Sequence, residues 1–267
     1  MKAIKLVRKI VPDRLLMKMY DIYRVPINMY KYGTTDMFRS IAIELHTTCN
    51  RKCTYCPVSL YQHPHAEMSD EVFDMIMLNL HNIDYDGIVY LHRYDEPLLY
   101  PWLTQRVFQL KKYVPKCFIR VLTNGDYMTA SLTDALVDAG VDNFNVTLHG
   151  LNQQGRLLDM KDRLSMFDDY INYTLGDDLN LSTRAGLITE GVVPAIKKCI
   201  EPLTCMQIDV NGNVILCYDD YYKEHKFGSI IHYDIMTLWL GDRFVQIRKD
   251  LRKGKIDLSL CRRCLDV

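Results

Sequence analysis

The chain has 267 residues, 48% of them hydrophobic, and its 33 basic and 33 acidic residues cancel to a formal net charge of zero. That content can bury one large core, or one core with a small appended module, and it excludes a disordered chain. Balanced, dispersed charge leaves no footprint for nucleic acid or another polyanion. The opening "MKAIKLVRKIVPDRLLMKMYDIYRVPINMY" has basic flanks but no uninterrupted apolar run, so it reads as neither a signal peptide nor a spanning helix. A helix packed on the domain is expected there, in a cytoplasmic protein, with a surface-seeking amphipathic helix as the alternative. Nine cysteines without an export signal point to metal ligation or redox chemistry rather than to a disulfide framework.

From residue 40 onward, short apolar runs alternate with helix-period segments, the pattern of successive βα units around a parallel sheet. Strands are expected at "SIAIELHT", "GIVYLHR", "CFIRVLT", "NFNVTLH" and "LSTRAGLI". Between the first two, "SDEVFDMIMLNLHNI" offers Ser69 as an N-cap and acidic residues in its first turn. Val72, Ile76, Leu80 and Ile83 then share one face, so the helix is core-facing. "PWLTQRVFQLKKY" and "SLTDALVDAG" place Pro101 at a helix start and Gly140 at a helix end. Five units between residues 40 and 188 are too few for a closed eight-fold barrel. The expected fold class is therefore α/β, an open, partial (β/α) barrel with a small C-terminal module where the cysteines return. The expected domains are a helical extension (1–39), the partial barrel (40–190) and that module (191–267).

The stretch "TTCNRKCTYCP" spaces Cys49, Cys53 and Cys56 as C-x3-C-x2-C and supplies no fourth cysteine nearby. A structural zinc site takes four protein ligands, and a fully ligated [4Fe–4S] cluster takes four thiolates. A cubane held by three leaves one iron open to a small molecule. The loop also follows the first strand, at the C-terminal mouth where such sheets place their chemistry. A zinc site completed from elsewhere is the competing reading.

With that loop the chain resembles the radical S-adenosylmethionine (SAM) enzymes, whose fold is a partial (β/α) barrel. The resemblance implies a [4Fe–4S] cluster whose open iron chelates SAM, and reductive cleavage of SAM to a 5′-deoxyadenosyl radical that abstracts hydrogen from substrate. Tyr55 is similar to the family's aromatic that packs on adenine. "YDEPLLYP" stands in place of the family's Gly-Gly-Glu-Pro motif: Glu96 remains to accept from the SAM ammonium, while Tyr94 and Asp95 replace the glycines. "TNG" and "VTLHG" look like the family's third and fourth strand endings, which makes Asn124 and Thr147 cofactor contacts, Thr147 toward a ribose hydroxyl. Arg184 in "STRAG", expected to end the fifth strand, would clamp the SAM carboxylate. Each has an ordinary alternative: a loop tyrosine, a turn before a helix, a β-branched strand residue, a surface arginine. His46, His92 and His149 also fall at strand ends, and His92 and His149 are candidates for substrate contact.

In the last third, "KKCIEPLTCMQIDVNGNVILCYDD" and "CRRC" bring five cysteines to one site. Asn211-Gly212 signals a two-residue hairpin turn. That register sets Met206 opposite Cys217, on one face with Ile208 and Ile215, and turns Cys205 to the other. Cys199, Cys217, Cys261 and Cys264 are thus the candidate ligands of one cluster, or of a zinc ribbon. The arrangement resembles the twitch form of the SPASM domain, a β-hairpin plus helix module, through Cys199, Gly212, Cys217 and the final Cys-x2-Cys. Without the further cysteines of a full SPASM domain, one auxiliary [4Fe–4S] cluster is expected.

The function this implies is oxidation of a small-molecule substrate such as a sugar or aminocyclitol, with the auxiliary cluster as electron acceptor and a flavodoxin or ferredoxin as external donor. The first 39 residues are too short and too helical for a peptide-leader-binding domain. The auxiliary cysteine spacing and the shortened barrel are close to those of aminocyclitol-oxidising members of the family. Two alternatives stay within the class: a peptide-modifying enzyme, and an epimerase in which Cys205 is catalytic and returns a hydrogen atom. A non-catalytic iron–sulfur or zinc protein is the reading from another class.

Overall fold

Strict alternation organises the central strands. Ile41, Ile43, Val89, Leu91, Ile119, Val121, Phe144, Val146, Leu148, Met206 and Ile208 are all at most 1% exposed. Their sequence neighbours Ala42, Tyr90, His92, Leu122, Asn145, Thr147, Cys205 and Gln207 line a cavity instead. One face of the sheet therefore carries the core and the other lines the cavity, because successive side chains point to opposite faces.

The computed structural model describes residues 13–179, 181–188 and 199–265; residues 1–12 and the domain boundary expected at 190/191 lie outside them. A first unit, Met1–Met37, holds helix α1 (Asp13–Tyr32). No helix among the described residues is long and apolar enough to cross a membrane. The second unit is Phe38–Val267.

In the second unit β1 (Ser40–Ile43), β2 (Ile88–Tyr90), β3 (Phe118–Thr123), β4 (Asn143–Leu148) and β5 (Ile171–Leu175) pair in parallel, each with the next. The connections carry α2 (Asp70–Asn82), α3 (Leu103–Tyr113), α4 (Ala130–Ala139) and α5 (Gln153–Arg163). Local signals set their ends. Ser69 Oγ accepts from Val72 N at 3.3 Å, Thr129 caps α4, and Gly140 closes it at φ 116°. Pro101 sits one residue before the α3 cap, Trp102, rather than opening the helix itself.

The sheet stays open, as an α/β partial barrel should, and gains a strand on its other edge. β6 (Cys205–Ile208) pairs in parallel with β1, Ser40 level with Cys205 and Ala42 with Gln207. β7 (Asn213–Ile215) and β8 (Lys226–Ser229) continue it antiparallel, in the order β5-β4-β3-β2-β1-β6-β7-β8. Helices α6 (Ile235–Trp239), α7 (Asp242–Arg252) and α8 (Ser259–Leu265) follow.

Two expectations are corrected. The fifth strand is "INYTL", not "LSTRAGLI": residues 181–188 form a turn with Arg184, Ala185 and Gly186 at φ 48°, 55° and 81°. Ser182 Oγ accepts from Arg184 N at 3.3 Å and Thr183 Oγ1 from Gly186 N at 3.2 Å, and such hydroxyl-to-backbone bonds compete with a ladder. The β6–β7 hairpin is also one residue longer than a two-residue turn allows, pairing Ile208 with Val214 and Gln207 with Ile215. Asp209 Oδ1 accepts from Asn211 N at 3.0 Å and Asn213 N at 2.8 Å, and Gly212 takes φ 79°. This side-chain cap absorbs the extra residue.

Candidate active site

The three-cysteine loop leaves the end of β1, and polar contacts anchor it from several sides. Glu96 N donates to Thr48 O at 3.0 Å, tying the "YDEP" turn to the loop. Asn124 Nδ2 donates to Asn50 Oδ1 at 2.8 Å. Arg51 grips Asp126 through Nε and Nη2, both at 2.6 Å, and donates Nη1 to His149 O at 3.1 Å. Arg156 Nη2 reaches the same Asp126 at 2.6 Å. Arg51, Asp126 and Arg156 escaped the sequence reading; the only hint was an arginine inside the loop and an aspartate directly after "TNG".

Cys49, Cys53 and Cys56 all line a cavity of about 720 Å³. Burial pushes the Cys49 thiol up to about 11, against a lowering bond from Arg51 N, and Glu96, Cys56 and Cys53 add to the rise. Burial raises Cys56 as well, with the Val58 N–H and the Arg184 charge opposing it. Three thiols lining one opening form a donor set whose chemistry suits a soft metal cluster.

The other cofactor candidates surround the same cavity. Glu96 is 2% exposed and already accepts three bonds: Leu98 N at 3.1 Å, Thr123 Oγ1 at 2.5 Å and Asn124 N at 2.8 Å. A carboxylate has room for about four, so one position remains for a ligand donor. Burial raises its pKa, opposed by those three bonds. The Tyr55 hydroxyl contacts His149 Nδ1. Burial, with the Arg51 and Arg156 charges, pulls that imidazole down to about 4. Asn124 and Thr147 line the wall beside them. Arg184 reaches the cavity from its left-handed turn rather than from a strand end. Its Nη1 donates to Asp219 Oδ1 at 3.1 Å, its guanidinium carbon lies 5.1 Å from the Tyr218 ring centre, and Nε has no hydrogen-bond partner. His46 is structural in its contacts: its Nε2 lies 3.0 Å from Glu96 O and 3.3 Å from Asp95, and its ring stacks on Tyr100 at 5.5 Å.

Tyr218 and Asp219, also in the cavity lining, lead to the second cysteine group. Burial drives the Cys217 thiol far up, followed by the charges of Asp219, Cys199 and Cys261. Burial holds Cys261 at about 11, with Cys199 next, and Cys264 at about 12, with Asp219 and Cys199 contributing. The structure thus brings these four cysteines into one electrostatic neighbourhood. Cys264 Sγ donates to Asp219 Oδ2 at 3.3 Å. Cys205 stands apart, but not for the expected reason. The observed register would set it level with Cys217, except that β7 ends at Ile215 and the chain turns away. Cys205 Sγ instead meets Gln207 Nε2 at 3.2 Å, and the thiol lines the cavity at 8% exposure.

Arg93 joins the two halves and was missed. It is 1% exposed, and its Nη2 donates to the carbonyls of Cys217 at 3.3 Å, Tyr218 at 3.2 Å and Asp220 at 2.9 Å.

A strand-end cysteine loop opening on a cavity of a partial (β/α) barrel, with a second thiol group behind its wall, defines an iron–sulfur radical enzyme. The family models agree: the radical SAM superfamily matches residues 43–174 and SPASM, an iron–sulfur cluster-binding domain, matches residues 199–265. The chain belongs to the radical SAM superfamily, and it carries a C-terminal SPASM/twitch-type domain. Its cofactors are SAM, the [4Fe–4S] cluster that binds it, and auxiliary iron–sulfur.

It is similar to the S-adenosyl-L-methionine-dependent 2-deoxy-scyllo-inosamine dehydrogenase of Niallia circulans, 31% identical over 238 residues that cover 86% of this chain and 94% of that protein. The crystal structure of BtrN with AdoMet and 2-DOIA superimposes with a TM-score of 0.77 at 31% identity, over 85% of this chain and 92% of that one. The structure of anSMEcpe with bound AdoMet shares the fold, with a TM-score of 0.59 at 14% identity, over 84% of this chain and 89% of that one.

Proposed function

We propose that this enzyme dehydrogenates a small polar alcohol, a sugar or an aminocyclitol, by radical SAM chemistry. The observation that carries this reading is the shared cavity: one space of about 720 Å³ is lined both by the three-thiol loop and by Tyr218 and Asp219, the neighbours in sequence of Cys217, with Cys264 bonded to Asp219. Such a volume suits a cofactor and a small substrate rather than a folded partner.

Cys49, Cys53 and Cys56 would hold the SAM-binding cluster, and Cys199, Cys217, Cys261 and Cys264 the auxiliary one. Glu96, Asn124, Thr147, Tyr55 and Arg184 would hold SAM. When bound, these groups supply a 5′-deoxyadenosyl radical that removes a hydrogen atom from a substrate carbon, and an acceptor for the second electron. The carbinol proton must also leave, and His92, in the cavity lining, would take it. His92 Nδ1 donates to Arg93 O at 2.8 Å, which leaves Nε2 as the ring's acceptor. Burial keeps its pKa below the ordinary 6.5, so the ring is neutral at pH 7. Loss of one hydrogen atom, one proton and one electron turns the carbinol into a carbonyl. An external low-potential donor, a flavodoxin or ferredoxin in the cytoplasm, would start each turnover.

The test is anaerobic reconstitution, reduction, and incubation with SAM and 2-deoxy-scyllo-inosamine. Formation of 5′-deoxyadenosine with a product two hydrogens lighter supports the reading, and zinc without sulfide in the reconstituted protein would sink it. The cavity-facing Cys205 favours one second reading, an epimerase in which that thiol returns a hydrogen atom.

A further inference from the structure

Four hydrogen bonds converge on the Asp126 carboxylate, directly after "TNG" at the end of β3. Asn50 Nδ2 donates at 2.8 Å, and Arg51 Nε, Arg51 Nη2 and Arg156 Nη2 donate at 2.6 Å each. That fills about the number of bonds a carboxylate accepts, so this side chain is a tether and has no position left for a ligand. Arg51 comes from inside the loop, between Cys49 and Cys53, and its main-chain N–H donates to Cys49 Sγ at 3.5 Å. Arg156 comes from α5, outside the loop. The two guanidinium groups share a second acceptor just past β4, His149 O, at 3.1 and 2.8 Å. Asp126 N also donates to Asn124 Oδ1 at 2.9 Å, and Asn124 Nδ2 returns to the loop at Asn50 Oδ1, 2.8 Å away. One carboxylate therefore ties the three-cysteine loop to two strand ends and a helix.

The charges in this knot do not cancel. Burial works to raise the Asp126 pKa, but the bonds from Arg51 and Asn50 and the two guanidinium charges outweigh it and hold the carboxyl below its ordinary range. Two guanidinium charges against one carboxylate leave one positive charge in excess. Arg51 lines the cavity together with all three cysteines of the loop. The side chains of Arg51, Asp126 and Arg156 are only 24%, 23% and 26% exposed, so solvent screens the excess charge in part.

We propose that Asp126 is a positioning residue of the SAM-binding cluster: it fixes Arg51 and Arg156 beside the three-cysteine loop, where their excess positive charge sets the cluster's reduction potential. This rests on Cys49, Cys53 and Cys56 as the ligand set. One electron accepted from the external donor makes the cluster more negative by one charge, so a neighbouring positive charge favours the reduced form. Asp126 tempers that effect by cancelling one of the two guanidinium charges. The balance between ease of reduction and reducing power toward SAM then lies in three side chains, none of which is a ligand.

The test is a redox titration of the reconstituted protein followed by electron paramagnetic resonance, in which the SAM-binding cluster is the one whose signal changes when SAM is added. Asp126→Asn removes the negative charge, Arg156→Gln removes a positive charge from outside the loop, and the double variant restores the parent's net charge. The equilibrium constant for one-electron reduction should be at least about threefold higher than the parent's in Asp126→Asn and at least about threefold lower in Arg156→Gln, or about 30 mV each way at about 59 mV per decade. The double variant should return to within about 1.5-fold of the parent. A loop that is merely loosened admits water, which would move all three variants in one direction. Iron content and melting temperature show whether each variant is loaded and folded. If Asp126→Asn fails to load, the downward shift of Arg156→Gln keeps the test open. Unchanged potentials, or shifts of the same sign in the two single variants, overturn the role of Asp126 while leaving the ligand set in place. A parent without any signal that responds to SAM would overturn the ligand set, and this role with it.

Discussion

Replacing Arg93 by methionine tests how the auxiliary cysteines are held. The side chain is fully enclosed, and its Nη2 faces three main-chain carbonyls of the segment from Cys217 to Asp220. Two N–H protons cannot fully serve three acceptors, so the loss amounts to about two charge-assisted bonds of roughly 1.5–3 kcal/mol each. Glu44 is left less exposed to harm than in a simple pair. Its Oε1 lies 3.8 Å from Arg93, but Oε2 keeps Lys223 at 2.6 Å and Val210 N at 3.0 Å. Methionine refills most of the stem volume, so a loss of about 3–5 kcal/mol is expected, in the range for breaking buried ionic contacts. For a chain of this size that lowers the melting temperature by on the order of 10 °C. The same variant frees the Cys217 carbonyl, so auxiliary iron should fall while the three-cysteine loop still loads. The assays are anaerobic melting and iron counting on reconstituted protein. A variant that melts within about 2 °C of the parent with full iron would show that the hairpin, not Arg93, positions this segment.

Alanine at Cys49, Cys53 or Cys56 should abolish 5′-deoxyadenosine formation while the auxiliary cluster still assembles; normal 5′-deoxyadenosine yield would refute the ligand set. Glu96→Gln should weaken SAM by about one to two decades and also lower the melting temperature, because the carboxylate holds Thr123 and Asn124 as well. Unchanged SAM affinity would mean that Glu96 serves the fold alone. The kcat/KM of the parent should rise with pH along a limb whose pKa lies below 6.5, since burial disfavours the protonated His92 and only the neutral ring accepts a proton. His92→Gln should erase that limb, and a limb at or above 6.5 would count against this assignment. In deuterated solvent the product should be two hydrogens lighter and free of solvent deuterium. Mass-neutral turnover with deuterium uptake that disappears in Cys205→Ala would replace dehydrogenation by epimerisation.

What could be read from the chain followed from local chemistry. The Ser69 cap, the Gly140 stop and the alternation in "NFNVTLH" are written in single elements, and the cysteine spacing is a property of one loop. The fifth strand was misassigned because "LSTRAGLI" looks apolar at both ends. Its Ser182 and Thr183 hydroxyls bind the backbone inside the segment, a preference that hydrophobic pattern does not register. The hairpin register slipped for a related reason: Asp209 caps the turn from outside the Asn-Gly pair. Arg93 was invisible for another. A strand-end arginine ordinarily reads as solvated, and only the fold brings Cys217 and Asp220 to it across more than a hundred residues of sequence.

The pairing of β6 with β1 was also beyond the sequence, and it changes how the two cysteine groups relate. An appended module would hold its thiols at the end of a linker, at a distance set by chain flexibility. Here β1, which leads into the three-cysteine loop, is hydrogen-bonded along four residues to β6, whose hairpin leads to Cys217. The relative position of the two thiol groups is then set by sheet register, and register is strongly specified where one face is core, as Met206 and Ile208 are. The cavity face of that same strand carries Cys205 and Gln207. A substitution that shifts β6 by one residue would therefore turn the cavity end over to the core face and displace Cys217 together, so the lining of that cavity end and the placing of the second cysteine group are bound to one strand.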